Sequence, residues 1–191
     1  MNHCLATVCG ALVLVANAAF AGPFGIEMGA GIENYEVKEP GPKPMLLSVP
    51  KPHPLFEHYA VWHSTATGIC RVIGISEPFR NDRYGEELRT QFGRVRAALD
   101  AKYGNSETID MLKPGALWTE PDDWVMAIRQ NERMFGAYWP DPDPVQSDDL
   151  GYIELVVSTL SSDTAYMVLR YDTTTFEDCE RAIAERQESA F

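Results

Sequence analysis

Residues 56–104 carry the clearest periodic pattern of the chain, and this pattern restricts the fold more than any other feature. Two runs rich in apolar and β-branched residues, 56–63 and 69–75, flank a turn cluster at 64–68. Such runs around a loop of about five residues predict a β-hairpin. The second run is apolar on both faces apart from Arg71, which favours a position inside the sheet.

A helical pattern follows the predicted hairpin. Its apolar residues recur at intervals of three and four, which is typical of an amphipathic helix with one buried face. Asn81 or Asp82 can cap the start of this helix, and Gly104 follows its end. We expect the apolar stripe to lie across the inner face of the hairpin. The stripe consists of Tyr84, Leu88, Phe92, Val95, Leu99 and Tyr103.

The second half of the chain repeats the order of strands followed by a helix. The pattern predicts strands at 108–112 and 134–139, a second hairpin from 151–159 and 164–172, and a final helix at 175–188. Hairpins with few crossovers are typical of the α+β class. We therefore predict a single domain in which an antiparallel sheet built from hairpins carries helices packed on one face.

The first 21 residues have the pattern of a signal peptide. They contain no charged residue, and an apolar run at 11–16 is followed by the A-x-A motif that ends at Ala21. A short membrane anchor is the alternative, but Asn17 interrupts the apolar stretch. We expect cleavage after Ala21 and export to the periplasm or, alternatively, secretion from the cell.

The remaining residues, 22–191, are predicted to form one domain with a proline-rich arm. Residues 40–54 contain six prolines. Proline fixes the backbone and removes a hydrogen-bond donor, so this density favours an extended segment. We expect the arm to pack along the domain and to remain part of it.

Cleavage of the signal peptide leaves two cysteines in the mature chain. Cys4 and Cys9 are removed, whereas Cys70 and Cys179 stay. A pair of cysteines in an oxidising compartment predicts one disulfide, with two free thiols as the alternative. The bridge would fasten the last helix to a strand of the first hairpin.

The charge balance argues against nucleic acid as a partner. The formal net charge is −12, and the sequence contains no cluster of lysine and arginine. Nucleic-acid binding needs a basic surface that replaces counterions on the phosphates, and anionic membranes repel an acidic chain. Beyond the signal peptide, no segment is apolar for long enough to span a membrane.

The histidines and acidic residues of the sequence do not have the spacing of a metal site. His53, His58 and His63 recur every five residues, but an odd separation places neighbouring histidines on opposite faces of a strand. The acidic loop at 140–149 lacks the spacing of a calcium-binding EF-hand. We therefore predict no metal site and no cofactor. The acidic residues of this loop are Asp141, Asp143, Asp148 and Asp149.

No motif of an established enzyme class is present. The sequence lacks G-x-S-x-G, H-E-x-x-H and C-x-x-C motifs and a glycine-rich phosphate loop. We therefore name no catalytic residue. Two tryptophans, Trp118 and Trp124, flank a turn and a helix start, and they are either core residues or an aromatic patch for a ligand or partner.

Three segments carry a resemblance to other proteins. The spacing of tyrosine, leucine, phenylalanine and glycine over 84–104, the tryptophans at 118–124 and the Gly-Ile-Cys sequence at 68–70 resemble an uncharacterised family of small exported bacterial proteins. The resemblance implies a bacterial, exported setting. It implies no activity and no catalytic residues.

These observations favour a non-catalytic binding or interaction module in the bacterial periplasm or extracellular space. The partner would be another envelope protein or a small ligand. The alternative is a hydrolase-type enzyme with a site assembled from scattered carboxylates and histidines. A deep polar cleft that holds His58 or His63 beside a carboxylate would favour the enzyme, and a flat apolar patch would favour the binding module. We expect the site around 118–124 or in the acidic loop.

Overall fold

A computed structural model describes residues 22–40, 44–143 and 149–189. The predicted signal peptide lies outside the described residues, as do positions 41–43 of the proline-rich arm and 144–148 of the acidic loop. None of the described helices is long and apolar enough to cross a membrane.

The described residues form eight strands and three α-helices. The strands are β1 (Val37–Glu39), β2 (Met45–Leu47), β3 (Phe56–Ser64), β4 (Gly68–Ser76), β5 (Glu107–Leu112), β6 (Arg133–Trp139), β7 (Leu150–Thr159) and β8 (Ala165–Thr173). The helices are α1 (Glu86–Tyr103), α2 (Trp124–Arg129) and α3 (Phe176–Glu188). Both predicted hairpins are present, as β3–β4 and β7–β8.

One antiparallel sheet contains all eight strands, in the order β1–β2–β3–β4–β8–β7–β6–β5. Strands β1 to β4 and strands β5 to β8 each form a meander, and the pairing of β4 with β8 joins the two meanders. The sheet with helices packed against it confirms the predicted α+β class. Strand β2 of the proline-rich arm pairs with β3 and so belongs to the sheet.

Helix α1 confirms the predicted amphipathic pattern except at its first residue. Leu88, Phe92, Val95, Leu99 and Tyr103 are buried, and both carboxylate oxygens of Asp82 accept backbone N–H groups, from Glu86 at 2.8 Å and from Leu88 at 3.1 Å. This is the interaction of a capping aspartate. Tyr84 precedes the helix and is 48% exposed, so the buried stripe starts one turn later than predicted.

The core lies between one face of the sheet and the helices α1 and α2. Strands β7 and β8 contribute buried side chains at alternate positions, as expected for a sheet with one covered face. Gly85 is required beside this core: its φ is +66°, and a β-carbon would lie 2.2 Å from Cε3 of Trp124. The largest side chains of the core include Phe92, Trp124, Trp139, Leu155 and Met167.

Helix α3 packs on the opposite face of the sheet, at one corner. Trp62 pairs with Arg71 and His63 pairs with Ile69, so Cys70 is the additional residue of a β-bulge. The bulge directs Cys70 to the face of Trp62, where it forms a separate apolar cluster with Cys179. The predicted packing of helices on one face therefore applies to α1 and α2, whereas α3 and Cys179 lie on the other face.

Cys70 and Cys179 lie at disulfide distance, with an S–S separation of 2.02 Å and their Cα atoms 6.3 Å apart. Both residues are completely buried. The bridge joins α3 to β4, which are the two elements that the sequence predicted.

Candidate functional site

Among the described helices, only α3 packs on the outer face of the sheet, at one corner. We call the rest of this face the open face: the side opposite α1 and α2, outside the corner that α3 covers. In β8, Met167 and Leu169 are buried in the core, whereas the alternating residues Tyr166, Val168 and Arg170 are half-buried. The same alternation in β7 shows that the open face is accessible along both central strands.

Strand register aligns aliphatic residues in a row across the open face. Ile75 pairs with Val168, Val168 with Val156, Val156 with Gly136 and Gly136 with Ile109. We call these five residues the apolar row. Five strands about 4.8 Å apart give the row a length of about 19 Å. All of its side chains are half-buried, and Gly136 contributes only backbone.

A chain of charged side chains runs beside the apolar row. Arg170 on β8 donates from Nη2 to Oε2 of Glu154 on β7 at 2.5 Å. Its Nε lies 3.5 Å from Oδ2 of Asp172, which in turn binds Arg71 on β4. Each carboxylate is therefore balanced by an arginine, and the chain of charges is close to neutral.

Arg71 lies at one end of this chain of charged side chains and is held in place by several contacts. Its Nε and Nη2 donate to the two carboxylate oxygens of Asp172 at 2.5 and 2.7 Å. The guanidinium also lies over the ring of Trp62, at 4.3 Å, and over that of Phe176 of α3, at 3.7 Å. Bidentate pairing and stacking on two rings hold this arginine in one position.

Two tyrosines extend the charged chain towards the edge of the sheet. The hydroxyl of Tyr152 donates to Oε2 of Glu154 at 3.4 Å. Burial raises the pKa of Tyr152, and the nearby Glu154 carboxylate raises it by more than Arg170 lowers it. The resulting pKa is about 12. Burial also raises the pKa of Tyr138, again with a contribution from Glu154. Both phenols are therefore protonated at neutral pH and can donate hydrogen bonds.

Gly136 explains the position of Tyr138. A β-carbon on Gly136 would lie 2.8 Å from the hydroxyl oxygen of Tyr138 and 3.0 Å from Cγ1 of Val156. The absence of a side chain lets the tyrosine lie along its own strand towards the neighbouring apolar row.

A second concave region lies between α3 and the end of β3. This α3 cavity has a volume of about 840 Å³, and His63, Ser64, Ile183 and Arg186 contribute to its lining. Burial lowers the pKa of His63, Glu33 opposes this effect and Arg186 reinforces it. In the described chain no hydrogen bond joins His63 to a carboxylate, and the Ser64 hydroxyl is engaged with Thr67 at 2.8 Å. The cavity therefore lacks the arrangement that activates a serine nucleophile.

The two tryptophans predicted as a ligand or partner patch do not share an exposed surface. Trp124 is 5% exposed, and its ring packs at 5.1 Å from that of Phe135 in the core. Trp118 is half-buried, and its backbone N–H donates to Oε2 of Glu132 at 3.0 Å. Trp124 is thus a core residue, and only Trp118 presents part of its ring to solvent.

His58 lies beside a carboxylate at the protein surface. His58 is exposed at the border of the open face, with Nε2 3.6 Å from Oε2 of Glu57. Asp148 lies outside the described residues. Within the described ranges, no group of three or more histidine, cysteine, aspartate or glutamate residues could hold a metal ion.

The polar residues of the open face were not predicted. The alternation along β7 and β8 contains the necessary signal, because Glu154 and Arg170 are neighbours of the buried Leu155 and Leu169 and therefore point to the other face. Their contact depends on the register between the strands, which the pattern of one strand does not contain.

Comparison of the chain with protein-family models, with curated proteins and with solved structures finds no match.

Proposed function

We propose that this protein is an exported, non-catalytic binding module that contacts another protein of the bacterial envelope through its open face. The observation that supports this function is the apolar row, which crosses five neighbouring strands and carries half-buried aliphatic side chains on four of them. Apolar side chains that a monomer leaves uncovered in a continuous surface are typical of interaction sites.

The shape of the open face suits a protein more than a small molecule. Small ligands bind in concave pockets that enclose most of their surface, whereas the apolar row follows a sheet over about 19 Å. The Glu154–Arg170 pair and the two tyrosines would form the polar border of the interface.

Export is supported by two independent features. Residues 1–21 have the composition of a signal peptide. Cys70 and Cys179 lie at disulfide distance in the folded domain, and such bridges persist in oxidising compartments such as the periplasm.

Mutation of the apolar row tests the binding function. Val168→Asp places a charge within the row, and Tyr84→Asp is a matched control because Tyr84 is exposed just before α1, outside the open face. The tagged proteins are incubated with the native envelope fraction, and captured proteins are compared by quantitative mass spectrometry after circular dichroism has shown equal folding.

We expect the wild type and Tyr84→Asp to retain the same protein and Val168→Asp to lose it by about 10-fold or more, because a desolvated charge opposes association. The retained protein is then purified and its affinity for all three chains is measured by calorimetry. Equal affinity for Val168→Asp and wild type would contradict a contact through the open face.

A further inference from the structure

Strands β6 and β7 separate at one end of the sheet. They pair from Gly136 and Val156 to Trp139 and Ile153. Beyond Gly136, β6 continues beside β5 as far as Arg133, while β7 continues beside β8 as far as Thr159. A cavity of about 360 Å³ occupies the space between the diverging strands, and we call it the fork cavity.

The lining of the fork cavity has an unusual charge for this protein. The chain as a whole has a formal net charge of −12, yet the described residues that line the cavity include two arginines and no aspartate or glutamate. An amide and three hydroxyl groups are also present. The polar lining residues are Arg129, Asn131, Arg133, Tyr138, Ser158 and Thr159.

A tight turn places the two arginines at the same cavity. Helix α2 ends at Arg129, and Asn131 adopts a left-handed conformation with φ of 56°. Two backbone hydrogen bonds close the turn, from Asn131 N to Ile128 O at 2.9 Å and from Glu132 N to Ala127 O at 2.8 Å. This is the Schellman arrangement, which reverses the chain directly into β6.

Both guanidinium groups keep hydrogen-bond donors for a ligand. A guanidinium has five N–H donors. Arg129 donates from Nη1 to the carbonyl oxygen of Leu160 at 2.7 Å, and Arg133 pairs through Nη1 with Asp110. Nε of Arg133 is buried and has no hydrogen-bond partner among the described residues. Nη2 of each arginine makes no hydrogen bond to a described residue and is not buried, so it can donate to a ligand.

The remaining walls of the cavity are apolar. Ile128 of α2, Met134 and Phe135 of β6, and Val156 and Val157 of β7 contribute to them. A ligand that fits this lining combines one negative charge with a small apolar body. The planar guanidinium groups match the two oxygens of a carboxylate.

We propose that the fork cavity binds a small organic carboxylate with a short branched or aromatic side chain. The carboxylate lies against Arg133 and Arg129, and the apolar body contacts Phe135 and Val157. This site goes beyond the protein contact of the open face: the cavity shares one residue of the apolar row, but Val168, whose substitution tests the protein contact, does not line it. A negative result in either experiment therefore leaves the other proposal standing.

Such a carboxylate has two sources, a free acid and the C-terminal residue of a peptide. Three probes distinguish them: isovalerate represents the free acid, N-acetyl-leucine represents a C-terminal residue, and N-acetyl-leucine amide has the same body without the charge. Each is titrated into the ¹⁵N-labelled mature chain, and binding is followed by chemical-shift changes of the cavity residues.

We expect saturable shifts at Asn131, Met134 and Ser158 with at least one carboxylate and none with the amide. Saturation by both acids assigns the free carboxylate, and saturation by N-acetyl-leucine alone assigns the peptide terminus. The proposal is overturned if neither carboxylate saturates these shifts or if the amide binds equally well.

Substitution of each partner of the Arg133–Asp110 ion pair tests whether the arginine binds the carboxylate. Arg133→Gln removes the cation and should weaken binding about 10-fold or more. Asp110→Asn breaks the same ion pair but keeps the cation, so we expect affinity equal to or higher than that of the wild type. Arg129→Gln provides a second loss of charge if Arg133→Gln does not fold. Equal losses in Arg133→Gln and Asp110→Asn would contradict the assignment.

Discussion

Two arginine–aspartate pairs of this protein have the same chemistry and different surroundings. In the Arg71–Asp172 pair the side chains are 11% and 7% exposed, and the arginine lies over the rings of Trp62 and Phe176. In the Arg133–Asp110 pair they are 21% and 47% exposed, at the edge of the fork cavity. The first pair is a fixed part of the fold, and the second keeps access to solvent.

The difference between the pairs follows from what covers the sheet. Helix α3 covers the first pair, and the bridge between Cys70 and Cys179 holds the helix in place. The second pair is less covered, and Asp110 borders a groove between α1 and strands β5 and β6. A buried pair is costly to break, whereas an exposed pair contributes little and leaves its arginine available for a ligand.

Removal of the disulfide, which holds α3 over the Arg71–Asp172 pair, should lower the free energy of unfolding most. The double substitution of Cys70→Ala and Cys179→Ala opens a link between residues 109 positions apart. We expect the free energy of unfolding to fall by about 4 kcal/mol, as for a bridge that closes a loop of this length. Urea denaturation measures it, and a reducing agent should destabilise the wild type but not the variant. Equal stability of both proteins would show that α3 packs without help from the bridge.

Substitution of the buried aspartate should have the next largest effect. Asp172→Asn leaves Arg71 buried without its counter-charge, and we expect a loss of about 3 kcal/mol in urea denaturation. The control Asp178→Asn removes an exposed partner of Arg181 on α3 and should change stability by less than about 0.5 kcal/mol. A loss below about 1 kcal/mol for Asp172→Asn would remove the distinction between the two pairs.

Asp110→Asn makes the matching change in the exposed pair. Because the carboxylate is 47% exposed, water replaces the lost interaction, and we expect the free energy of unfolding to fall by less than about 1 kcal/mol. The same denaturation series used for Asp172→Asn measures the difference directly. A loss as large as that of Asp172→Asn would mean that the fork depends on this ion pair for its structure.

Titration of Tyr152 tests the smaller electrostatic effect on the open face. Its pKa is about 12 in the folded protein and 10.0 without the fold. The contribution of Tyr152 to the free energy of unfolding is therefore fully present below pH 10. It is lost as the pH rises towards 12, since the phenol ionises first in the unfolded chain. The absorbance difference at 295 nm between wild type and Tyr152→Phe reports this ionisation.

Glu154→Gln should lower the pKa of Tyr152, because a neighbouring negative charge is removed, while burial keeps the pKa above its ordinary value. An unchanged titration in Glu154→Gln would show that the carboxylate does not act on this phenol.

Local patterns were sufficient to predict both hairpins, α1 and α3 and the pairing of Cys70 with Cys179. They did not predict the bulge at Cys70, since an additional residue in one strand appears only when its partner strand is known. The pairing of β4 with β8 is equally non-local. For the same reason the contact between Glu154 and Arg170 and the fork cavity could not be derived from the sequence, and the site was expected around Trp118 and Trp124.

We call the pairing of β4 with β8 the seam, because it joins the two meanders. The sheet cannot be complete before this seam has formed. Arg71 on β4 meets Asp172 on β8, and 101 positions separate them along the chain. Until β8 arrives, β4 is an edge strand with an open row of hydrogen-bonding groups, which is prone to pairing with other chains. Contacts this distant slow folding because a long loop must close first. Oxidation of Cys70 with Cys179, just beyond the seam, would therefore mark the chains that have finished folding.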